Sequence, residues 1–216
     1  MGKYRLGGHM IRVERDGDLC ILWLARAGKA NALTAAMLQD IGAAVTAATD
    51  TKAKALILIG EGKVFSAGAD LDEMKTGLGT SPAWAMASDA IAAFPGLTIA
   101  ALNGTLAGGA MGLALACDLR LAVPGAQFFY PVMRLGYLPQ PPDPARLIAL
   151  IGPARARMIL LAGQRIGTDE ALAWGLVDRI VDAYTLLAAA KALAADALNA
   201  DQSHVAALKR MTLGEP

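Results

Sequence analysis

The segment Leu97–Cys117 constrains the fold more than any other part of the sequence. It runs for 21 residues without a charged side chain, and about 20 such residues are enough to span a bilayer. However, Asn103 and Gly104 mark a turn inside it, and further glycines follow at 108, 109 and 112. Turn residues and glycine favour a buried strand, a turn and a buried helix over one lipid-facing helix. We therefore predict that this segment lies in a protein core and does not cross a membrane.

Apolar runs and helical repeats alternate around that segment. Ala55–Ile59 is a continuous apolar run between Lys54 and Gly60, and Leu119–Val123, which is apolar except for Arg120, predicts a further strand. Between the runs, apolar residues recur at helical spacing after Thr34, which can cap a helix ending near Asp50. This alternation predicts an α/β fold with crossover connections.

The two ends of the chain differ from this central pattern. Ile11–Glu14 and Leu19–Ala25 flank Asp16-Gly17-Asp18, which predicts a β-hairpin. Before them, residues 1–10 end in Gly-Gly-His-Met, which is typical of a vector remnant, and we leave them out of the fold as a tag or disordered start. Beyond Pro144 the pattern is helical. We predict a core over residues 11–181 and a helical region over 182–216 that serves oligomerisation.

Composition and charge exclude several classes of function. The 20 Lys and Arg residues nearly balance 19 Asp and Glu residues, with no basic block, so a nucleic-acid partner is not expected. Cys20 and Cys117 lie in apolar segments without a second ligand at metal spacing, which indicates buried thiols in a reducing cytoplasm and no metal site. The only histidines, His9 and His204, give no support to a Ser-His-Asp triad.

Two glycine-rich segments carry the strongest functional signal. Val64–Leu71 reads VFSAGADL, and Leu102–Ala114 reads LNGTLAGGAMGLA. With Lys29–Leu33 upstream and Tyr130–Gly136 downstream, they resemble the signature segments of the crotonase, or enoyl-CoA hydratase/isomerase, superfamily. The resemblance covers about residues 11–181. It implies a spiral of ββα repeats with a helical C-terminal region, and an acyl-CoA thioester as ligand.

That resemblance also implies an oxyanion hole. The N–H groups of Ala69 and Gly109 would hold the thioester oxygen while negative charge develops on it. Each such donor contributes roughly 2.7–4 kcal/mol to transition-state stabilisation in enzymes where one was removed. The alternative is that these small residues only permit tight turns.

Further contacts with substrate follow from the same resemblance. Lys29, Ala30 and Asn31 would lie near the coenzyme A moiety. The remaining expected contacts line the acyl pocket: Ala67, Asp70, Leu71, Gly108, Tyr130, Pro131, Val132 and Tyr137. Three of these residues have structural alternatives, since Asp70 can cap the following helix and buried tyrosines are often structural.

The sequence departs from the family where a hydratase carries its two glutamates. Gly112 and Val132 occupy those positions, and neither side chain can transfer a proton, so hydration by the usual route is not expected. Asp143, held between Pro142 and Pro144, is the first candidate for the replacement acid or base, and Tyr130 and Tyr137 are the other candidates. Its alternative role is to cap the helix that starts at Pro144.

Three hypotheses for function follow from these observations. The first is an acyl-CoA lyase or isomerase that stabilises a thioester enolate with non-standard acid/base residues. The second is a non-catalytic acyl-CoA carrier or regulatory homologue, and the third is a structural subunit of a larger enzyme. For each, coenzyme A enters as part of the ligand and no other cofactor is expected. The resemblance implies a homotrimer or a dimer of trimers.

Overall fold

The computed structural model of the protein describes residues 2–6 and 10–214, and these form eleven strands and ten α-helices. The strands are β1 Gly2–Leu6, β2 Ile11–Asp16, β3 Leu19–Leu24, β4 Ala55–Gly60, β5 Val64–Ser66, β6 Leu97–Leu102, β7 Thr105–Ala107, β8 Leu119–Ala122, β9 Gln127–Phe129, β10 Ile166–Gly167 and β11 Arg179–Ile180. The helices are α1 Ala35–Asp50, α2 Leu71–Met74, α3 Ala83–Ala92, α4 Ala110–Leu115, α5 Val132–Leu135, α6 Asp143–Leu160, α7 Thr168–Trp174, α8 Leu186–Leu193, α9 Ala195–Asn199 and α10 Gln202–Thr212.

The strands form two sheets, and the chain passes between them in a repeating order. The larger sheet has the order β1-β2-β3-β4-β6-β8-β11, and the smaller has the order β10-β9-β7-β5. β4, β6 and β8 are parallel neighbours in the first sheet, while β5, β7 and β9 are parallel neighbours in the second. Each turn of the chain therefore adds one strand to each sheet and then a helix. This confirms the predicted α/β spiral of ββα repeats.

Burial explains why the central elements form where the sequence predicts them. All six residues of β4 are buried, as expected of a parallel strand covered on both faces. In α1, the buried residues recur at helical spacing from Met37 to Ala48, and the Thr34 side chain accepts a hydrogen bond from the Met37 amide. The uncharged segment Leu97–Cys117 contains β6, β7 and α4. No helix among the described residues is long and apolar enough to cross a membrane.

The strands of the smaller sheet are not among the sequence predictions. β5, β7 and β9 have three residues each, which is too short to show a period. The element α6 consists of two helical segments that meet at Gly152, whose φ of 76° and ψ of 164° are not helical, and Pro153 follows directly at the start of the second segment. The hairpin β2–β3 is confirmed.

The ends of the chain pack on the larger sheet. Residues 1–10 were left out of the fold, yet β1 pairs antiparallel with β2 at the sheet edge, while His9 lies outside the described residues. At the other end, Lys209 in α10 donates to an Asp118 carboxylate oxygen at 2.9 Å and to the Gly96 carbonyl at 3.1 Å. The boundary between residues 181 and 182 stays a prediction.

Candidate active site

The site is built where two parallel strands of the smaller sheet end. β5 and β7 are neighbours, so the segments that follow them, which carry Ala69 and Gly109, leave the sheet side by side. Gly68 makes their close approach possible: its φ is +96°, and an added Cβ would lie only 2.9 Å from the Ala107 carbonyl oxygen. A side chain at that position would be strained and would push the two segments apart.

The amides of Ala69 and Gly109 have no acceptor among the described residues, unlike their neighbours. Gly68 donates to the Ser66 hydroxyl, Asp70 to the Leu33 carbonyl, and Gly108 to the Phe129 carbonyl. Gly109 is the N-cap residue of α4, where backbone amides remain free. Both residues are partly exposed and line one cavity. The two amides are therefore free to donate to a ligand, and their role as an oxyanion hole stays a prediction.

Buried polar side chains fix the loop that carries Ala69. The Ser66 hydroxyl donates to the Asn31 carbonyl at 2.8 Å. Asn31 is fully buried, and its side-chain amide donates to the carbonyls of Glu61 and Val64 while accepting from the Arg26 amide. The predicted contact between Asn31 and substrate is therefore corrected: its hydrogen-bonding groups are occupied by the protein, and it positions the loop.

The cavity has a volume of about 470 Å³ and a mostly apolar lining. The polar side chains on its wall are Lys75, Tyr130, Tyr137 and Gln140. It brings together most of the residues that the sequence assigned to an acyl pocket: Ala67, Ala69, Leu71, Gly108, Gly109, Tyr130, Pro131, Val132 and Tyr137. An apolar chamber with two free amides at one place suits an acyl group joined to a polar carbonyl.

The position of Gly112 is the most informative feature of this site. A Cβ atom added to Gly112 would lie 2.6 Å from Oδ1 and 2.9 Å from Oδ2 of Asp143. The Asp143 carboxylate thus fills the space in which a side chain from α4 would begin. Val132, at the other position that lacks a glutamate, is a buried part of the cavity wall.

Asp143 reaches the cavity only through Tyr130. It is 1% exposed and does not line the cavity, but the Tyr130 hydroxyl donates to its Oδ2 at 2.9 Å. The Gln140 amide donates to the same hydroxyl at 3.3 Å. Asp143 Oδ1 is buried without a hydrogen-bond partner in the described part of the chain. Asp143 therefore has no direct contact with the cavity, and its role as an acid or base stays a prediction.

Burial controls the protonation of this pair. It raises the pKa of Asp143 to about 6, against the lowering effect of the Tyr130 hydrogen bond. Burial and the neighbouring carboxylate also raise the pKa of Tyr130. Asp143 is the first residue of α6, but its side chain bonds Tyr130 and caps no helix amide, so the capping alternative is not supported. A buried carboxylate titrating near neutrality is typical of a proton-transfer group.

Other predicted residues lie at the rim or outside the cavity. Asp70 caps α2 and forms an ion pair with Arg26 at 2.7 Å, which, with the capping amides, lowers the pKa of Asp70. Leu71 is 75% exposed at the cavity mouth. Lys29 is exposed, and the Ala30 carbonyl accepts from the Ala67 amide. Asp70 is thus a positioning residue, while contacts of Lys29 and Ala30 with coenzyme A stay a prediction.

Sequence analysis missed several residues of the wall, among them Met74, Lys75, Gly79, Trp84, Leu135, Leu138 and Gln140. Trp84 packs directly on Gly109, because a Cβ added to Gly109 would lie 3.0 Å from the Trp84 ring. The Trp84 indole N–H donates to the Leu78 carbonyl, which fixes the ring. The helical period of α3 identifies Trp84 as a core residue but not as a wall of the site.

Neither cysteine is among the residues that line this cavity. Cys20 and Cys117 are free and buried, and burial raises the pKa of the Cys117 thiol to about 12. Within the described ranges, no three His, Cys, Asp or Glu side chains are grouped in a way that could hold a metal ion.

Comparison with known proteins agrees with this architecture. The sequence profile described as enoyl-CoA hydratase/isomerase matches residues 14–213. The chain belongs to the enoyl-CoA hydratase/isomerase family, that is, the crotonase superfamily.

Individual relatives span several reactions. The chain is 37% identical over 191 residues to a Mycobacterium bovis protein named "Probable enoyl-CoA hydratase echA8", covering 85% of this chain and 73% of that one. It is 33% identical over 186 residues to 4-chlorobenzoyl coenzyme A dehalogenase-2 of Arthrobacter sp, covering 80% and 66%. The structure of an enoyl-CoA hydratase from Bacillus anthracis superposes with a TM-score of 0.86 at 30% identity, covering 93% of this chain and 81% of that one.

Proposed function

We propose that this protein is an acyl-CoA lyase or isomerase that stabilises a thioester enolate with an atypical proton-transfer pair. The observation that carries the proposal is the pair of unpartnered amides, Ala69 and Gly109, at the end of an apolar cavity. Coenzyme A thioesters in the names of both curated relatives support the ligand class.

The two amides would act on the thioester carbonyl. When a proton leaves the carbon beside that carbonyl, negative charge moves to its oxygen, and fixed N–H donors stabilise the charge without having to reorient. The N-terminal end of α4 adds a favourable dipole at the same point, although the helix is short. This interaction strengthens as the enolate forms, which is the condition for accelerating the reaction.

Tyr130 and Asp143 would take the proton in one relay. The substrate carbon would give its proton to the Tyr130 oxygen while the Tyr130 hydroxyl proton passes to Asp143 Oδ2, 2.9 Å away. The carboxylate then becomes a carboxylic acid, and the negative charge resides on the enolate. A carboxyl group with a pKa of about 6 is ionised at neutral pH and can accept that proton.

The test is exchange of the protons beside the carbonyl of butyryl-CoA in D₂O, followed by mass spectrometry, because it reports enolate formation whatever the later reaction is. We expect the wild-type protein to catalyse exchange. Tyr130→Phe removes the relay and should lower the exchange rate by about 10²-fold or more. Tyr184→Phe, at a side chain 99% exposed, is the matched control and should exchange at the wild-type rate.

The same measurements decide the alternative role as a non-catalytic carrier, which Gly112 and Val132 favour because neither can transfer a proton. Calorimetric binding of butyryl-CoA without exchange by the wild-type protein would establish a carrier. Absence of both binding and exchange would refute the acyl-CoA assignment.

We further propose assembly as a homotrimer or a dimer of trimers. Partly exposed apolar side chains on α6 and α7, Ile148, Met158 and Leu172, support a covered surface there. Light scattering after size exclusion tests this, and a monomer at micromolar concentration would contradict it.

A further inference from the structure

We propose that Gly112 is a positioning residue: its lack of a side chain admits the Asp143 carboxylate, so that positions 112 and 143 are mutually exclusive carriers of one acid. The inference rests on the proposed function for its catalytic consequence. The claim that a side chain at position 112 would clash with Asp143 depends only on how α4 packs against α6.

The steric conflict involves the functional end of Asp143. A Cβ at position 112 would meet Oδ1, Oδ2 and Cγ of Asp143 at 2.6, 2.9 and 3.1 Å. Contacts under 3 Å are far inside van der Waals separation, so one group must move. The backbone of α4 packs in the core, where Ala110 and Met111 are fully buried, so the carboxylate has to give way.

Asp143 cannot move without losing its contact with Tyr130. It opens α6 between two prolines, which restricts its backbone, and its Oδ2 is held by the Tyr130 hydroxyl. Its unpartnered Oδ1 lies on the side that faces Gly112. A methyl group at position 112 would therefore break the Tyr130–Asp143 hydrogen bond.

The same geometry also predicts the result of moving the acid from position 143 to position 112. With Asp143 reduced to alanine, the volume beside Gly112 is free. A glutamate introduced at 112 would then extend from α4 through that volume toward Tyr130. The acid would be supplied by α4 instead of α6, in the same corner of the site.

The test is a double-mutant cycle measured by melting temperature and by exchange into butyryl-CoA. Gly112→Ala should lower Tm by roughly 4 °C or more and exchange by about 10-fold or more. In an Asp143→Ala background the same change should leave exchange within about twofold and leave Tm unchanged or higher, because alanine is the better helix former. Gly42→Ala in α1, where an added Cβ meets no atom within 4 Å, is the matched control.

The pH profile separates positioning from general damage. Loss of the Tyr130 hydrogen bond removes an effect that lowers the pKa of Asp143, so the exchange midpoint of Gly112→Ala should move to higher pH. The other charges that act on Asp143 are Arg146, which lowers its pKa, and Asp89, which raises it, and both remain. An unchanged midpoint would contradict the positioning role.

Restoration completes the experiment. The double variant Gly112→Glu/Asp143→Ala should exchange about 10-fold or more faster than Asp143→Ala alone. In the wild-type background, where Asp143 is present, Gly112→Glu should lower the exchange rate. The inference would be overturned if Gly112→Ala lowered Tm equally in the wild-type and Asp143→Ala backgrounds. It would also be overturned if Gly112→Glu/Asp143→Ala exchanged no faster than Asp143→Ala. If the wild-type protein catalyses no exchange, the proposed function fails, and the Tm cycle still decides the steric claim.

Discussion

The cavity has two unlike walls, and under the proposed function they differ in what each requires of the sequence. The backbone wall consists of the segments 67–69 and 108–109, where the amides of Ala69 and Gly109 have no acceptor among the described residues. The side-chain wall consists of Tyr130 and Val132 with Asp143 behind them. The first needs only small residues and a fixed path of the chain, whereas the second needs particular side chains.

The two walls also differ in what can replace their parts. An amide donor has no substitute unless the chain moves, and Gly68 keeps its path by a positive φ beside the Ala107 carbonyl. A carboxylate can instead come from any element that reaches the same volume. Asp143 does so from α6, beside Gly112. Chemistry that depends on the backbone is therefore the more constrained of the two.

The largest effect should follow from disturbing the backbone wall. Gly68→Ala places a methyl group 2.9 Å from the Ala107 carbonyl and displaces the Ala69 amide. We expect exchange into butyryl-CoA to fall by about 10²–10³-fold. Gly125→Ala is the control, because Gly125 also has a positive φ but an added Cβ meets no atom there. If Gly68→Ala and Gly125→Ala lowered the exchange rate equally, backbone strain and not the contact with Ala107 would account for the loss.

A slightly smaller effect is expected from the side-chain wall. Asp143→Asn cannot accept the relayed proton, so exchange should fall by about 10²-fold. Wild-type exchange should rise as the pH increases through about 6, where Asp143 becomes ionised, and this rise should be absent in the variant. Asp169→Asn, in the first turn of α7, is the matched control. A wild-type rate in Asp143→Asn would remove Asp143 from the mechanism.

The smallest expected effect is on the free energy of unfolding, which a substitution of Asp143 should increase, whereas the same substitution lowers the exchange rate. Folding raises the pKa of Asp143 from 3.8 to about 6, so the folded state binds its proton more tightly than the unfolded chain. Its contribution to stability is greatest in acid and is lost as the pH rises from about 3.8 to about 6. At pH 8, Asp143→Asn should therefore raise the free energy of unfolding by roughly 1–3 kcal/mol.

Urea unfolding of both proteins at pH 4.5 and pH 8 checks this, with a smaller difference expected at the lower pH. A variant less stable than wild type at pH 8 would show that the Tyr130 hydrogen bond outweighs the cost of the buried charge.

Sequence reasoning anticipated the backbone wall better than the side-chain wall. Ala69 and Gly109 were assigned through the resemblance of their two segments to the family's signature segments, because the glycine-rich pattern taken alone indicates only tight turns. The strands that bring them together, β5 and β7, have three residues each and leave no periodic signal. Their pairing depends on sheet register, which composition does not reveal.

The side-chain wall depends on contacts between distant segments. Asp143 stands out in sequence through its flanking prolines, but its packing against Gly112 and its bond to Tyr130 join α6 to α4 and to the end of β9. Asn31 shows the opposite error, because a polar residue near a motif was assigned to substrate while its amide is buried among backbone groups. The surroundings of Asp143 and of Asn31 depend on which residues are neighbours in the folded chain, and the sequence alone does not reveal these neighbours.

The central claim is that the Ala69 and Gly109 amides polarise a thioester carbonyl. Infrared difference spectroscopy of butyryl-CoA labelled with ¹³C at that carbonyl measures this directly. We predict that the C=O band of the bound ligand moves to lower frequency in the wild-type protein and returns toward its solution position in Gly68→Ala. A bound ligand whose carbonyl band stays at the solution frequency in the wild-type protein would contradict the account.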